Sequence, residues 1–253
     1  MKFRQFHKIS GIRSAAEGRN SIEYPPPPFK EYLRFPRIAL PGPCIPEEPL
    51  STVFAKRESK RIMSEHAVIG NADIATILHG GAGINAERAR DPARKPASET
   101  IGQFTVTAPS APRFHPSGGS FYPLEYYLAA FRVESLDVGV YHYAPRDHSL
   151  EKIPFALPRV FIDACKEYVP VTHPAAVLLM TSMWGRNYLK YGEFAYRLSL
   201  LEAGHSGQDM LLLAAGLGVK AYVAAAFDDA MLAETLDIAK DDEDPLYLVF
   251  LGH

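Results

Sequence analysis

Three short stretches carry residue types and spacings that could do chemistry. Lys190-Tyr191-Gly192 follows an uncharged segment and Trp184. A lysine amine beside a phenol in an apolar surround is a candidate acid–base pair, because burial brings an amine toward the neutral form that accepts protons. A surface lysine next to a packed tyrosine would look the same. Arg57-Glu58-Ser59-Lys60-Arg61 places two guanidinium groups four residues apart with a hydroxyl between them. On a helix or tight turn Arg57, Ser59 and Arg61 share a face, and two forks suit the oxygens of a terminal phosphate. The alternative is a solvated basic helix end. Pro116-Ser117-Gly118-Gly119-Ser120, continuing to Pro123, is a turn whose glycines let backbone N–H groups approach a flat ligand. It could equally be an ordinary turn before a strand.

Other chemistries find little support. Gly81-Ala82-Gly83-Ile84-Asn85-Ala86 fits G-x-G-x-x-A, but a helix precedes it and a charged stretch follows, the reverse of a dinucleotide-binding context. Cys44 and Cys165 make no C-x-x-C pair, and they read as free thiols of a reducing compartment. The histidines, among them His142, His148, His173 and His205, show no H-E-x-x-H spacing, so no metal site is expected. The acidic run Asp241-Asp242-Glu243-Asp244 reads as a solvated turn. A net charge of -2 without a basic stripe makes no case for nucleic acid or a membrane surface. The N-terminus lacks the apolar core of a signal peptide, and Pro170, His173 and Pro174 interrupt the uncharged segment 168–185. The expectation is a cytoplasmic protein.

These stretches need elements to position them. With 253 residues, the chain can build one large domain. Residues 1–50 are proline-rich, with Pro25 to Pro28 and then Pro41, Pro43, Pro46 and Pro49, and read as an extended arm. Phe29, Tyr32 and Phe35 suggest that it docks on the body at 51–253 or on a partner subunit. Ser51 to Met63 and Asn71 to His79 read as helices, the second capped by Asn71 and stopped by Gly80-Gly81. Residues 85–113 read as a polar loop with a short strand at Gln103 to Ala108. A strand meander follows over Leu124 to Val133, Val138 to Tyr143 and Ser149 to Ile153. Pro158 to Lys166 is a short helix and Ala175 to Met183 a buried strand. Glu193 to Gly216 is the longest helix, with Phe194, Leu198, Leu201, Met210, Leu213 and Leu217 as its apolar face. Val219 to Phe227 is a strand, Asp229 to Leu236 a helix capped by Asp228, and Leu246 to Leu251 the last strand. The class is α+β.

In this order the motifs resemble the SagB/ThcOx-type dehydrogenases, the azoline-oxidising branch of the nitroreductase-like flavoproteins. The resemblance runs through Pro28-Phe29-Lys30-Glu31-Tyr32 with Ile38-Ala39-Leu40-Pro41, then Pro116 to Glu125 with Gly139-Val140-Tyr141-His142-Tyr143. Lys190-Tyr191-Gly192, Tyr196-Arg197-Leu198, Glu202-Ala203-Gly204-His205 and Gln208 complete it. It implies a nitroreductase-like fold, with a central mostly antiparallel sheet flanked by helices, in a homodimer that holds FMN between its subunits. Arg57, Ser59 and Arg61 fall where the family grips the FMN phosphate and ribityl chain. Pro116, Ser117, Gly118, Gly119 and Ser120 match the loop that meets the flavin. Ala225 and Ala226 fall where backbone lies against the flavin N5 side, and Lys190 and Tyr191 match the pair that removes the substrate proton. Many relatives have asparagine where Ser120 stands and basic residues near the C-terminus. Their replacement here puts more of the phosphate grip on Arg57 and Arg61, with Arg197 as a further candidate.

The implied activity is oxidation of thiazoline or oxazoline rings to thiazole or oxazole in a modified peptide, beside a cyclodehydratase. Alternatives are an NAD(P)H-dependent nitro or quinone reductase, a flavin dehydrogenase of a small metabolite, and a flavin-free partner of a modifying complex.

Overall fold

The computed structural model describes residues 7, 27–91, 93, 98–101, 104–107, 111–238 and 242–253. Its centre is a seven-stranded sheet whose ladders are all antiparallel, in the order β1-β6-β5-β4-β7-β9-β8. The strands are β1 (Arg37–Ala39), β4 (Leu124–Ala130), β5 (Gly139–Ala144), β6 (Ser149–Ile153), β7 (Ala176–Met183), β8 (Lys220–Ala224) and β9 (Glu243–Gly252). A separate hairpin pairs β2 (Ser98–Ile101) with β3 (Phe104–Thr107). Residues 103 and 108 of the expected strand lie outside the described set. The expected meander is β4–β5–β6, and β1, from within the proline-rich arm, adds an edge strand to it.

Every residue of β4, β5 and β7 is buried, because both sheet faces are covered. On one face Leu124, Tyr126 and Leu128 of β4 join Ile74, Ile77 and Leu78 of α2 (Asn71–Ala82) and Met210 of α6 (Phe194–Gly216). On the other, Tyr127 and Ala129 join Phe161 of α4 (Val160–Asp163) and Leu232 of α7 (Asp229–Leu236), with Tyr32 and Phe35 of the arm packed on top. Seven helices complete the described chain, including α1 (Leu50–Lys56), α3 (Ala86–Arg90) and α5 (Gly185–Tyr191). The Asp228 side chain caps α7 by accepting from the Met231 N–H at 3.0 Å, as its position in the sequence predicts.

Four expectations need correction. Gly80-Gly81 does not stop α2, which begins after a Gly70 N-cap and runs on to Ala82. A Cβ on Gly80 would collide with Leu213, and one on Gly81 with Met210, so the pair lets α2 and α6 cross closely. Gly81→Ala is expected to cost about 1–3 kcal/mol by overpacking, read as a lowered denaturant midpoint at unchanged slope.

Second, the helix expected over 51–63 ends at Lys56, and the chain beyond is extended. Third, α6 buries mainly small residues, among them Ala195, Ser199, Ala203, Gly207 and Ala214, as the close crossing demands. Leu201, expected in its apolar face, is 56% exposed. Fourth, Glu243 of the acidic run is not solvated. It opens β9 and is 1% exposed.

Candidate active site

The predicted residues fall into two groups. Arg57, Ser59 and Arg61 lie on the extended chain after α1, where Ser59 bridges Ala221 of the edge strand β8 and the Lys60 N–H donates to the Ala221 carbonyl at 2.9 Å. Alternation along extended chain, not helical spacing, puts the three on one side. The Arg61 guanidinium stacks over the Tyr222 ring at 4.7 Å. The opposite side, with Lys56, Glu58 and Lys60, lines a cavity of about 230 Å³ shared with Leu211, Ala215 and Lys220. Ala225 and Ala226 follow β8 at its other end and are exposed.

The second group surrounds the 118–120 turn. Gly119 and Ser120 have φ of 63° and 61°, and Tyr122 has φ of 48°. The Ser117 hydroxyl accepts from the Tyr122 N–H at 2.9 Å and steadies this turn. Ser120 thus holds a left-handed conformation that asparagine tolerates better than serine. A Cβ on Gly119 would stand 2.6 Å from the Tyr191 hydroxyl, and Gly118 rests on Leu198 of α6. Lys190 and Tyr191 form the last turn of α5. The Lys190 ammonium lies 5.8 Å from the Phe121 ring centre and 5.4 Å from that of Tyr191. Both residues are half-buried, so the pair is within reach of a ligand. Arg197 lies in this neighbourhood, not with Arg57 and Arg61, and donates to the His7 carbonyl at 2.6 Å.

The two groups sit at opposite ends of α6. Gly118 meets Leu198 near its start, while Gly216 at its end packs on Pro46 and Val53, beside Arg57. Those 18 residues correspond to about 27 Å of helix.

Beneath the second group lies a buried ion network that spacing alone did not suggest. His142 bonds Glu151 through Nδ1 and Glu125 through Nε2, both at 2.9 Å. Carboxylates only accept, so both ring nitrogens donate and the ring is an imidazolium. Burial works against that charge, but the two carboxylates outweigh it and raise the His142 pKa. Burial likewise pushes Glu125 up, but Arg186 and His142 reverse the effect and hold it at about 2. Glu151 is also lowered, its burial outweighed by bonds from His142, the Tyr32 backbone and Arg37. Arg186, on α5, pairs with Glu125 and donates to the carbonyls of Pro27 at 2.9 Å and Tyr122 at 3.2 Å. Lys30 of the arm reaches Glu243 at 2.7 Å, and Glu243 also accepts from Tyr127 at 2.9 Å. The available signal was Glu125, His142 and Glu151 lying inside the expected strands of the meander, since charges that become buried there must be paired.

Among the described residues no cluster could hold a metal ion, and no helix is long and apolar enough to cross a membrane. Cys44 is exposed and Cys165 buried, both as free thiols.

An antiparallel sheet buried on both faces by helices thus carries a glycine turn set against a half-buried lysine and tyrosine. The chain belongs to the Nitroreductase family, which it matches over residues 55–253, and it has an α+β fold. It is 30% identical over 167 residues to the microcin B17-processing protein McbC of Escherichia coli. That stretch covers 60% of this chain and 61% of McbC, less than two thirds of the relative's length. Its fold is similar to a structure from Anabaena variabilis ATCC 29413, with a TM-score of 0.69 and 23% identity, covering 89% of this chain and 43% of that one. It is also similar to a chain of the E. coli microcin synthetase McbBCD complex with truncated pro-MccB17 bound. There the TM-score is 0.59 at 21% identity, covering 99% of this chain and 91% of that one.

Proposed function

We propose that this protein is a SagB/McbC-like, FMN-dependent dehydrogenase that converts thiazoline or oxazoline rings of a modified peptide to thiazole or oxazole. The observation that carries the reading is the placement of Lys190 and Tyr191, on the end of α5, against the Gly118-Gly119 turn. The similarity to McbC and to a chain of a synthetase complex supports the substrate class and a cyclodehydratase partner.

The residues fit FMN in two halves. Arg57, Ser59 and Arg61 offer phosphate donors on an open edge, and the glycine turn offers a surface that a Cβ would fill. A mononucleotide cannot touch both ends of α6, so the fit requires two copies of the chain, each completing the other's site. Leu200 and Leu201 on α6 and Phe54 on α1 are 41%, 56% and 55% exposed and provide an apolar surface for such a homodimer. Ala225 and Ala226 then supply backbone at the cofactor's edge. Arg197 lies too far along α6 to join Arg57 and Arg61 within one chain.

Bound FMN would accept a hydride from the substrate ring. The rest of the chemistry belongs to the chain. Lys190 takes the ring C–H proton at Nζ, and the Tyr191 hydroxyl orients the ring over the glycine turn. The ring loses one proton and one hydride, two hydrogens in all.

The test is to purify the chain, record flavin absorbance, and incubate it with azoline-bearing peptides and dioxygen. The expected result is a yellow protein and a mass loss of about two hydrogens per azoline oxidised, the product of proton and hydride removal. A colourless protein, or rapid anaerobic bleaching by NADPH with azolines untouched, would overturn it.

A further inference from the structure

Residues 27–35 do more than lie on the body. Their Lys30 ammonium, 12% exposed, pairs with a Glu243 carboxylate that is fully buried. The Lys30 N–H donates to Glu125 at 3.2 Å, the Tyr32 N–H donates to Glu151 at 3.0 Å, and the Tyr32 hydroxyl meets that of Tyr127 at 3.3 Å. Each of the three buried carboxylates therefore has one bond from this segment. Three buried cations, Lys30, His142 and Arg186, balance them, with Arg37 at the rim. One of the three cations belongs to the arm, so the charge balance inside the body is incomplete without it.

The network leads to the active site through Arg186. That side chain is 4% exposed and binds three separate parts of the molecule: Pro27 in the arm, Glu125 in β4, and Tyr122 just past the glycine turn. It stands one helical turn before Lys190 on the same short helix.

We propose that the 27–35 segment is a positioning element: Lys30 anchors it to Glu243, and through Pro27 and Arg186 it fixes the helix bearing Lys190 and Tyr191 against the Gly118–Ser120 turn. The functional consequence rests on the dehydrogenase reading above, but the mechanical claim does not. Lys30 and Arg186 act through other residues, and neither touches the reacting atoms.

The experiment measures amide hydrogen exchange by mass spectrometry in the full-length protein. Lys30→Met alone leaves a buried carboxylate without its partner and can lower global stability. The decisive variant is therefore Lys30→Met/Glu243→Gln, which removes both charges and restores stability while leaving the arm without its Lys30–Glu243 anchor. In it, exchange over 185–192 and 117–122 is expected to accelerate at least tenfold, with α2 and β8 at wild-type rates. Lys30→Arg, which keeps the anchor, should exchange like wild type over 185–192. Acceleration confined to 27–40, or spread evenly over the molecule, would overturn the proposal. None of these outcomes depends on whether azolines are the substrate. In an active preparation the double variant should also retain flavin absorbance and lose turnover.

Discussion

Lys190→Ala is expected to lower turnover by about a hundred- to ten-thousandfold, the range of general acid–base catalysis, while flavin absorbance stays at the wild-type level. The amine lies 5.8 Å from the Phe121 ring centre and 5.4 Å from that of Tyr191. The phosphate donors assigned to Arg57 and Arg61 are untouched. The loss should appear in kcat, since proton removal as the ring reacts is the role proposed for the amine. Steady-state kinetics on an azoline peptide, with the flavin spectrum measured on the same sample, separate the possibilities. Turnover within a few-fold of wild type would remove Lys190 from the proposed reaction. Loss of flavin together with turnover would place the lysine in the cofactor grip instead.

Arg186→Met should have the largest effect on stability. It leaves the Glu125 carboxylate, buried at 2% exposure, without its guanidinium, and deprives the carbonyls of Pro27 and Tyr122 of a donor. Breaking a buried pair in this way costs about 3–5 kcal/mol, or roughly 6–20 °C in Tm for a chain of this size. The same network sets the pH range of stability. Glu125 is held at about 2 against an ordinary value of 4.5, so its contribution is present above 4.5 and lost as the pH falls from there toward 2. His142 is raised from 6.5, so its contribution is complete below 6.5 and lost as the pH climbs through its value in the folded protein. Melting curves from pH 2 to 9 should show both limbs. Arg186→Met should flatten the acid limb, because the cation that holds Glu125 low is gone. An unchanged acid limb would mean that other groups dominate acid unfolding.

Much of this was legible in the chain. The alternating, turn-bounded segments of the meander, the long buried run at 176–183 and the Asp228 cap all follow from local rules, and the α+β class follows from their order. Of the candidate residues, the structure brings the glycine turn together with Lys190 and Tyr191. What local rules missed depended on neighbours distant in sequence. Gly80-Gly81 looks like a helix stop until Leu213 and Met210 of α6 are seen lying over it. Leu201 looks like core because nothing in its own helix says that Ala203 and Gly207 face inward instead. Glu243 reads as a solvated acid because its partner, Lys30, lies 213 residues away.

The last strand of the sheet in sequence is not at its edge. β9 inserts between β7 and β8 and carries the carboxylate that Lys30 clasps. During synthesis β7 must wait with one side unpaired until about sixty more residues have emerged, and an open, apolar strand edge is a template for wrong pairing. The Lys30–Glu243 bond can then form only after β9 has been made. Nascent chains cut short before β9 should accordingly be substrates for chaperones, not partly folded proteins.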